Sequence, residues 1–198
     1  MTNRSYGFKK SPDYDKIQEI VKTDKEISSL PKTYYLNKTG PILNQGTKNI
    51  CVPCSLLSAI NYHYALQKKD VNLNTDYIWN KRSNKPDDTG MFISDAMKIL
   101  KDGNYIKMYG KLTSIGSIKA SIFLDGPIIV GLPVKSFDNT FWRGTKNYGG
   151  HAVALIGYTN DSFIIKNSWG TSYGLGGEEE ISFSDLNSVA YEIWTIVL

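Results

Sequence analysis

The amino-acid sequence predicts an α+β fold. Segments with helical hydrophobic spacing crowd the first half and short Val-, Ile- and aromatic-rich segments crowd the second, without the strand–helix alternation of a parallel sheet. With 198 residues, 41% of them hydrophobic, the chain can bury a core without metal or disulfide staples. A helical lobe beside a β lobe, with any site in the crevice between them, is the simplest arrangement.

Residues 1–29 read as a polar N-terminal extension with a helix around Tyr14–Ile27, where Ile17, Ile20 and Val21 share one face. Residues 30–198 read as the domain proper, its helical lobe at about 45–110 and its β lobe at about 111–198. Leu30-Pro31 and Gly40-Pro41 punctuate an extended stretch at its start. From Cys51 to Gln67, Val52, Leu56, Ile60 and Tyr64 recur at helical spacing. Pro53 falls in that helix's first turn, where a missing N–H is tolerated. Further helices are expected from near Thr75, from near Ser94 to Gly103, and over Ser117–Leu124, the last closed by Asp125-Gly126. Strands are expected at 127–134, 151–158, 162–167, 178–183 and 191–198, separated by Gly, Asn, Asp and Ser.

Composition excludes several functions. The 23 basic and 19 acidic residues are scattered, and no basic–aromatic interleaving suggests nucleic-acid binding. The most apolar runs, Cys51–Ile60 and Pro127–Val134, fall far short of the ~20 residues of a membrane helix. The first thirty residues hold no apolar stretch of signal-peptide length, so the chain reads as intracellular, cytoplasmic or virion-associated. Two Cys cannot build a disulfide framework, and with two His they match no zinc spacing. Glu178–Glu180 reads as a solvated strand edge, and Gly174-Leu175-Gly176-Gly177 is too generic for a phosphate loop.

The two histidines separate on geometry. His63 lies on the same expected helix as both cysteines, about 18 Å from Cys51 and about 13 Å from Cys54 at 1.5 Å per residue. Neither distance allows proton transfer, so His63 is structural or exposed. His151 opens a strand after Tyr148-Gly149-Gly150 and is the remaining base.

Three segments, LNQGTKNICVPCSLLSAI, GGHAVALIGY and FIIKNSWG, together resemble the papain-like cysteine peptidases. Gln45-Gly46 stands six positions before Cys51 at a helix start, His151-Ala152-Val153 opens a strand, and Asn167-Ser168-Trp169-Gly170 is a complete tetrapeptide. Weaker matches are Asp88-Thr89-Gly90 and the glycines of 173–177, so that the resemblance covers the chain from about Leu30 onward. It implies a two-lobe papain-like fold, with an antiparallel β lobe facing the helical lobe across a cleft, and peptide-bond hydrolysis through a thioester. Cys51 would attack, His151 shuttle the proton, Asn167 orient His151, Trp169 cover that contact, and Gln45 steady the oxyanion. Gly90 would offer backbone hydrogen bonds to an extended substrate and Ala152 would line a side-chain pocket. The implied partner is a peptide or protein substrate, with the enzyme acting as a monomer and needing neither cofactor nor metal. A helix N-terminus and an imidazolium provide the physical basis, since together they lower a thiol pKa from near 8.5 to about 3–4, as in papain itself.

The sequence also departs from that pattern. His151 follows Cys51 by 100 residues and Asn167 by 116, whereas about 130–150 is usual, so loops are trimmed. Val52 and Tyr173 stand where aromatic residues, a second Trp in the latter case, are common. The gapless register to Gln45 favours Cys51 as nucleophile, whereas a Cys-x-x-Cys signature whose second Cys attacks would favour Cys54. The 44 residues before Gln45 are too few for a large inhibitory propeptide, and residues 1–28, polar and placed ahead of the domain, are a candidate shield for the cleft. Two other readings stand beside the peptidase: an inactive papain-like binding protein, and a Cys-x-Pro-Cys dithiol oxidoreductase. The second lacks a βαβ unit before Cys51 and leaves the Asn167–Gly170 motif unexplained.

Overall fold

The computed structural model describes residues 6–197. Its first strand, β1 (Phe8–Lys9), is only two residues long. Beyond it, the expected helix over Tyr14–Ile27 does not form. A 3-10 turn at Tyr14–Lys16 and a short helix α1 (Asp24–Ser28) take its place. Between them the backbone pairs instead with the chain at Lys111, through Ile20 N–H to Lys111 O at 2.9 Å and Lys111 N–H to Gln18 O at 3.0 Å. Gly110 permits this approach, because a Cβ there would lie 2.5 Å from Ile20 Cγ1 and 2.7 Å from Gln18 O. A tertiary edge pairing thus overrides the local periodicity. Helix α1 starts where Thr23 and Glu26 form a capping box.

After β2 (Tyr34–Tyr35), the central helix α2 runs over Cys51–Leu66, close to the predicted span. Every residue from Cys51 to Ile60 is buried, because this half of the helix is apolar nearly all round. Helix α3 (Thr75–Trp79) starts on the Asn74 side chain, which accepts from Tyr77 N–H. The two-residue strand β3 (Met91–Phe92) leads into α4 (Ile93–Asp102), capped by Gly103, and then β4 (Met108–Lys111). Helix α5 (Ile115–Leu124) begins at Ser114, whose side chain accepts from Ser117 N–H.

The second half is mostly strand: β5 (Ile128–Val134), β6 (Gly149–Tyr158), β7 (Ser162–Lys166), β8 (Glu178–Ser182) and β9 (Glu192–Val197). Helix α6 (Phe183–Val189), which the sequence does not predict, follows β8. Among the described residues the sheet orders as β3-β1-β6-β5-β9-β4, with β7 and β2 also pairing β6, and β8 pairing β7. The fold is therefore α+β, with an antiparallel β lobe against which α2 packs along β5 and β6.

Strand β1 joins the two halves. Phe8 pairs with Met91 in parallel on one side and with Gly150 in antiparallel on the other. The N-terminal segment therefore lies between the helical lobe and the strand that carries His151. No helix among the described residues is long and apolar enough to cross a membrane.

Candidate active site

Helix α2 sets Cys51 at its first position, and the thiol is fully buried. Its sulfur accepts from Gly7 N–H at 3.3 Å. Burial pushes the thiol up to about 11, against the opposing pull of the amides of Ala152, Gly7, Val52 and Cys51 itself. The amide of Ala152 belongs to β6, so the start of α2 meets β6 one residue beyond His151.

The ring of His151 is buried and held on three sides. Trp169 stacks on it with centroids 4.4 Å apart and planes 20° apart, and Phe141 meets it edge-on at 5.5 Å. Nε2 lies 2.8 Å from Oδ1 of Asn167. That oxygen also accepts from Ser168 N–H at 2.7 Å, while Asn167 Nδ2 donates to Glu179 Oε1 at 2.8 Å. The amide orientation is thereby fixed, and the oxygen facing His151 requires the ring proton on Nε2. Nδ1 is left with a lone pair, buried and without a hydrogen-bond partner. Burial, opposed by the Asn167 bond, lowers the imidazole to about 4.

Gln45 is tied to the Asn-Ser-Trp-Gly segment twice. Its N–H donates to Ser168 O at 2.9 Å, and Ser168 Oγ donates to its Oε1 at 2.6 Å. Its Nε2 donates to Lys48 O at 2.9 Å, just ahead of α2. Cys54 is one turn along α2, with its thiol on the Ser168 hydroxyl and pushed up to about 12, chiefly by burial. His63 lies farther along α2, its Nε2 buried without a partner and its pKa lowered by burial.

Gly90, with φ at +145°, lets the chain pass close to Gly7, and a Cβ there would strike the Gly7 carbonyl. The adjacent Met91 N–H donates to that carbonyl at 2.7 Å. The Phe8 ring lies over Gly131 and Gly150 and stacks on Tyr191 at 6.2 Å. Lys9 pairs with Asp87, and Ser11 donates to Glu192 through both its N–H and its hydroxyl. The N-terminal segment thus fills the groove beside Cys51.

One expectation is corrected. Glu178–Glu180 is not uniformly a solvated edge: Glu180 is exposed, whereas Glu179 is buried and bonds Asn167 and the Tyr173 hydroxyl, the latter at 2.7 Å. Glu179 is the site residue that the motifs do not mark, whereas Tyr173, which stands where a second Trp is common, joins the site through its hydroxyl. Strand parity carried the signal for Glu179, because it shares a face with the fully buried Ile181.

The fold is that of the papain-like cysteine proteases. Xylellain, a cysteine protease from Xylella fastidiosa, is similar over 99% of this chain and 97% of its own, with a TM-score of 0.82 and 20% identity. A digestive procathepsin L2 proteinase from the larval midgut of Tenebrio molitor is similar over 100% of this chain and 79% of its own, with a TM-score of 0.77 and 18% identity. An uncharacterised peptidase C1-like protein, L477, of Acanthamoeba polyphaga mimivirus is 31% identical over 122 residues, 52% of this chain and 39% of that relative, so the match spans less than half of the relative's length. Residues 38–192 match the Peptidase_C39 like family, and the chain belongs to that family.

Proposed function

We propose that the chain is a cysteine peptidase that cleaves peptide bonds through Cys51, His151 and Asn167, held latent by its own N-terminal residues. One observation carries the reading: Asn167 holds the His151 proton on Nε2 and leaves the Nδ1 lone pair unpartnered, on the strand whose next amide, that of Ala152, reaches Cys51. With substrate in the groove, Nδ1 takes the Cys51 proton and the sulfur attacks the scissile carbonyl carbon. The carbonyl oxygen becomes an oxyanion, held by the Cys51 N–H and an N–H of Gln45 Nε2. Collapse breaks the C–N bond, and His151 gives its proton to the departing amine. Water, deprotonated by the same Nδ1, then attacks the thioester. The sulfur leaves, the acid product is released, and Cys51 recovers its proton.

Latency belongs to the same reading. The group presented to the sulfur by the N-terminal segment is the Gly7 N–H, not a carbonyl carbon, so the segment caps the nucleophile without offering it a bond to cut. The test compares Cys51→Ala with Cys54→Ser in the hydrolysis of a fluorogenic peptide, after the N-terminal segment has been loosened. Activity lost only with Cys51→Ala supports the reading. Activity lost only with Cys54→Ser, or no hydrolysis in any form, overturns it.

A further inference from the structure

Glu179 occupies an unusual position: a carboxyl group, 8% exposed, on the inward face of β8 that it shares with the fully buried Ile181. Burying a carboxyl group is costly unless it is hydrogen-bonded. Oε1 accepts from Asn167 Nδ2 at 2.8 Å, and the Tyr173 hydroxyl lies 2.7 Å from Oε2. Tyr173 is itself buried and packs edge-on against Trp169 at 4.8 Å, with its hydroxyl also 2.6 Å from Asp138 O.

We propose that Glu179, steadied by Tyr173, is a positioning residue that selects the orientation of the Asn167 amide and, through it, the tautomer of His151. This rests on the reading of His151 as the proton carrier. An Asn side chain is nearly symmetric in shape, and turning it over exchanges a donor for an acceptor. A flipped Asn167 would present N–H to Nε2, move the ring proton to Nδ1 and remove the lone pair that receives the thiol proton. A carboxylate oxygen beyond Asn167 accepts from Nδ2 and rejects Oδ1, so Glu179 opposes the flip from the far side while Ser168 N–H opposes it from the near side. The face that Glu179 occupies is otherwise apolar, as Ile181 shows. A hydrocarbon there would leave Nδ2 without this acceptor in the correct orientation, and so remove the preference for it on that side.

The experiment reads the tautomer directly by ring-nitrogen NMR of the full chain, which holds only two histidines, so that His63 serves as internal control. In the parent, His151 shows the Nε2–H form and Asn167 a side-chain amide protected from solvent exchange. Glu179→Leu is expected to introduce the Nδ1–H form, and Glu179→Gln, whose carbonyl can still accept from Nδ2, to restore the parent pattern. In peptide hydrolysis the Leu variant is expected to lose about 10- to 100-fold in kcat/KM. An unchanged His151 signature in Glu179→Leu overturns the proposal, as does lost activity with that signature intact. Should Glu179→Leu fail to fold, a freely exchanging Asn167 amide in the parent overturns it. Because the tautomer is read without turnover, failure of the peptidase reading leaves a separate result.

Discussion

The backbone N–H of Gly7 donates to the sulfur of Cys51 across 3.3 Å, in the groove that a substrate would need. That contact depends on the Phe8 ring beside it, which is 5% exposed against Gly131, Gly150 and Tyr191. Phe8→Lys would forfeit about 2 kcal/mol of apolar burial, or about 30-fold in the equilibrium for releasing the segment. Release returns water to a thiol that burial holds at about 11. The rate of Cys51 alkylation by iodoacetamide at pH 7.5 is therefore expected to rise about tenfold or more. An unchanged rate would show that the segment does not restrain the thiol.

A second route to the same release leaves the N-terminal segment untouched. A Cβ on Gly150 would lie 2.5 Å from Phe8 Cδ1 and 2.7 Å from Phe8 O, and the second of these is backbone that cannot turn aside. Gly150→Ala is expected to match Phe8→Lys in alkylation rate while α2 and the β lobe keep their hydrogen-exchange protection. Loss of protection throughout the sheet would show that the clash is relieved by unfolding, not by release.

Much of this architecture was legible because its signals are local. Pro53 in a first turn and the helical spacing of Val52, Leu56, Ile60 and Tyr64 mark α2 in the sequence, and the rise along that helix removes His63 from contention. His151 and Asn167 stood out because the residues around them form a recognisable pattern, and the two side chains do meet. The N-terminal region departs from the helix its spacing predicts for the opposite reason. Strand β1 is two residues long and its partners, Met91 and Gly150, lie far away in the chain, so no short window encodes it. The Ile17, Ile20, Val21 spacing mimicked a helix face, yet Val21 is 75% exposed and the segment follows Lys111 instead. Glu179 was hidden by its neighbours, since a run of three glutamates looks solvated until strand parity turns the middle one inward.

The two cysteines are expected to differ in kind. Cys54 holds its proton up to about 12, chiefly through burial, with its thiol on the Ser168 hydroxyl one turn into α2. In the Phe8→Lys background, limiting iodoacetamide is expected to add one label, at Cys51, by peptide mass mapping. Cys51→Ser is expected to abolish that label and Cys54→Ser to leave it in place. A label on Cys54 at a comparable rate would reopen the choice of nucleophile.

Burial also makes His151 a source of acid sensitivity in the latent form. Its imidazole sits at about 4, against an ordinary 6.5. Between those values the unfolded chain takes up a proton that the folded chain refuses. The unfolded state therefore binds more protons, and stability falls as the pH drops through that window. From pH 7 to pH 5 the loss assignable to His151 is about 2 kcal/mol, over a range where most carboxylates remain ionised. Urea unfolding of the parent and of His151→Gln at both pH values isolates it, because His63 and the carboxylates contribute to both chains alike. The parent is expected to lose about 2 kcal/mol more than the variant on acidification. Equal losses would mean that His151 is already hydrated in the folded chain, and that the N-terminal segment does not seal the groove.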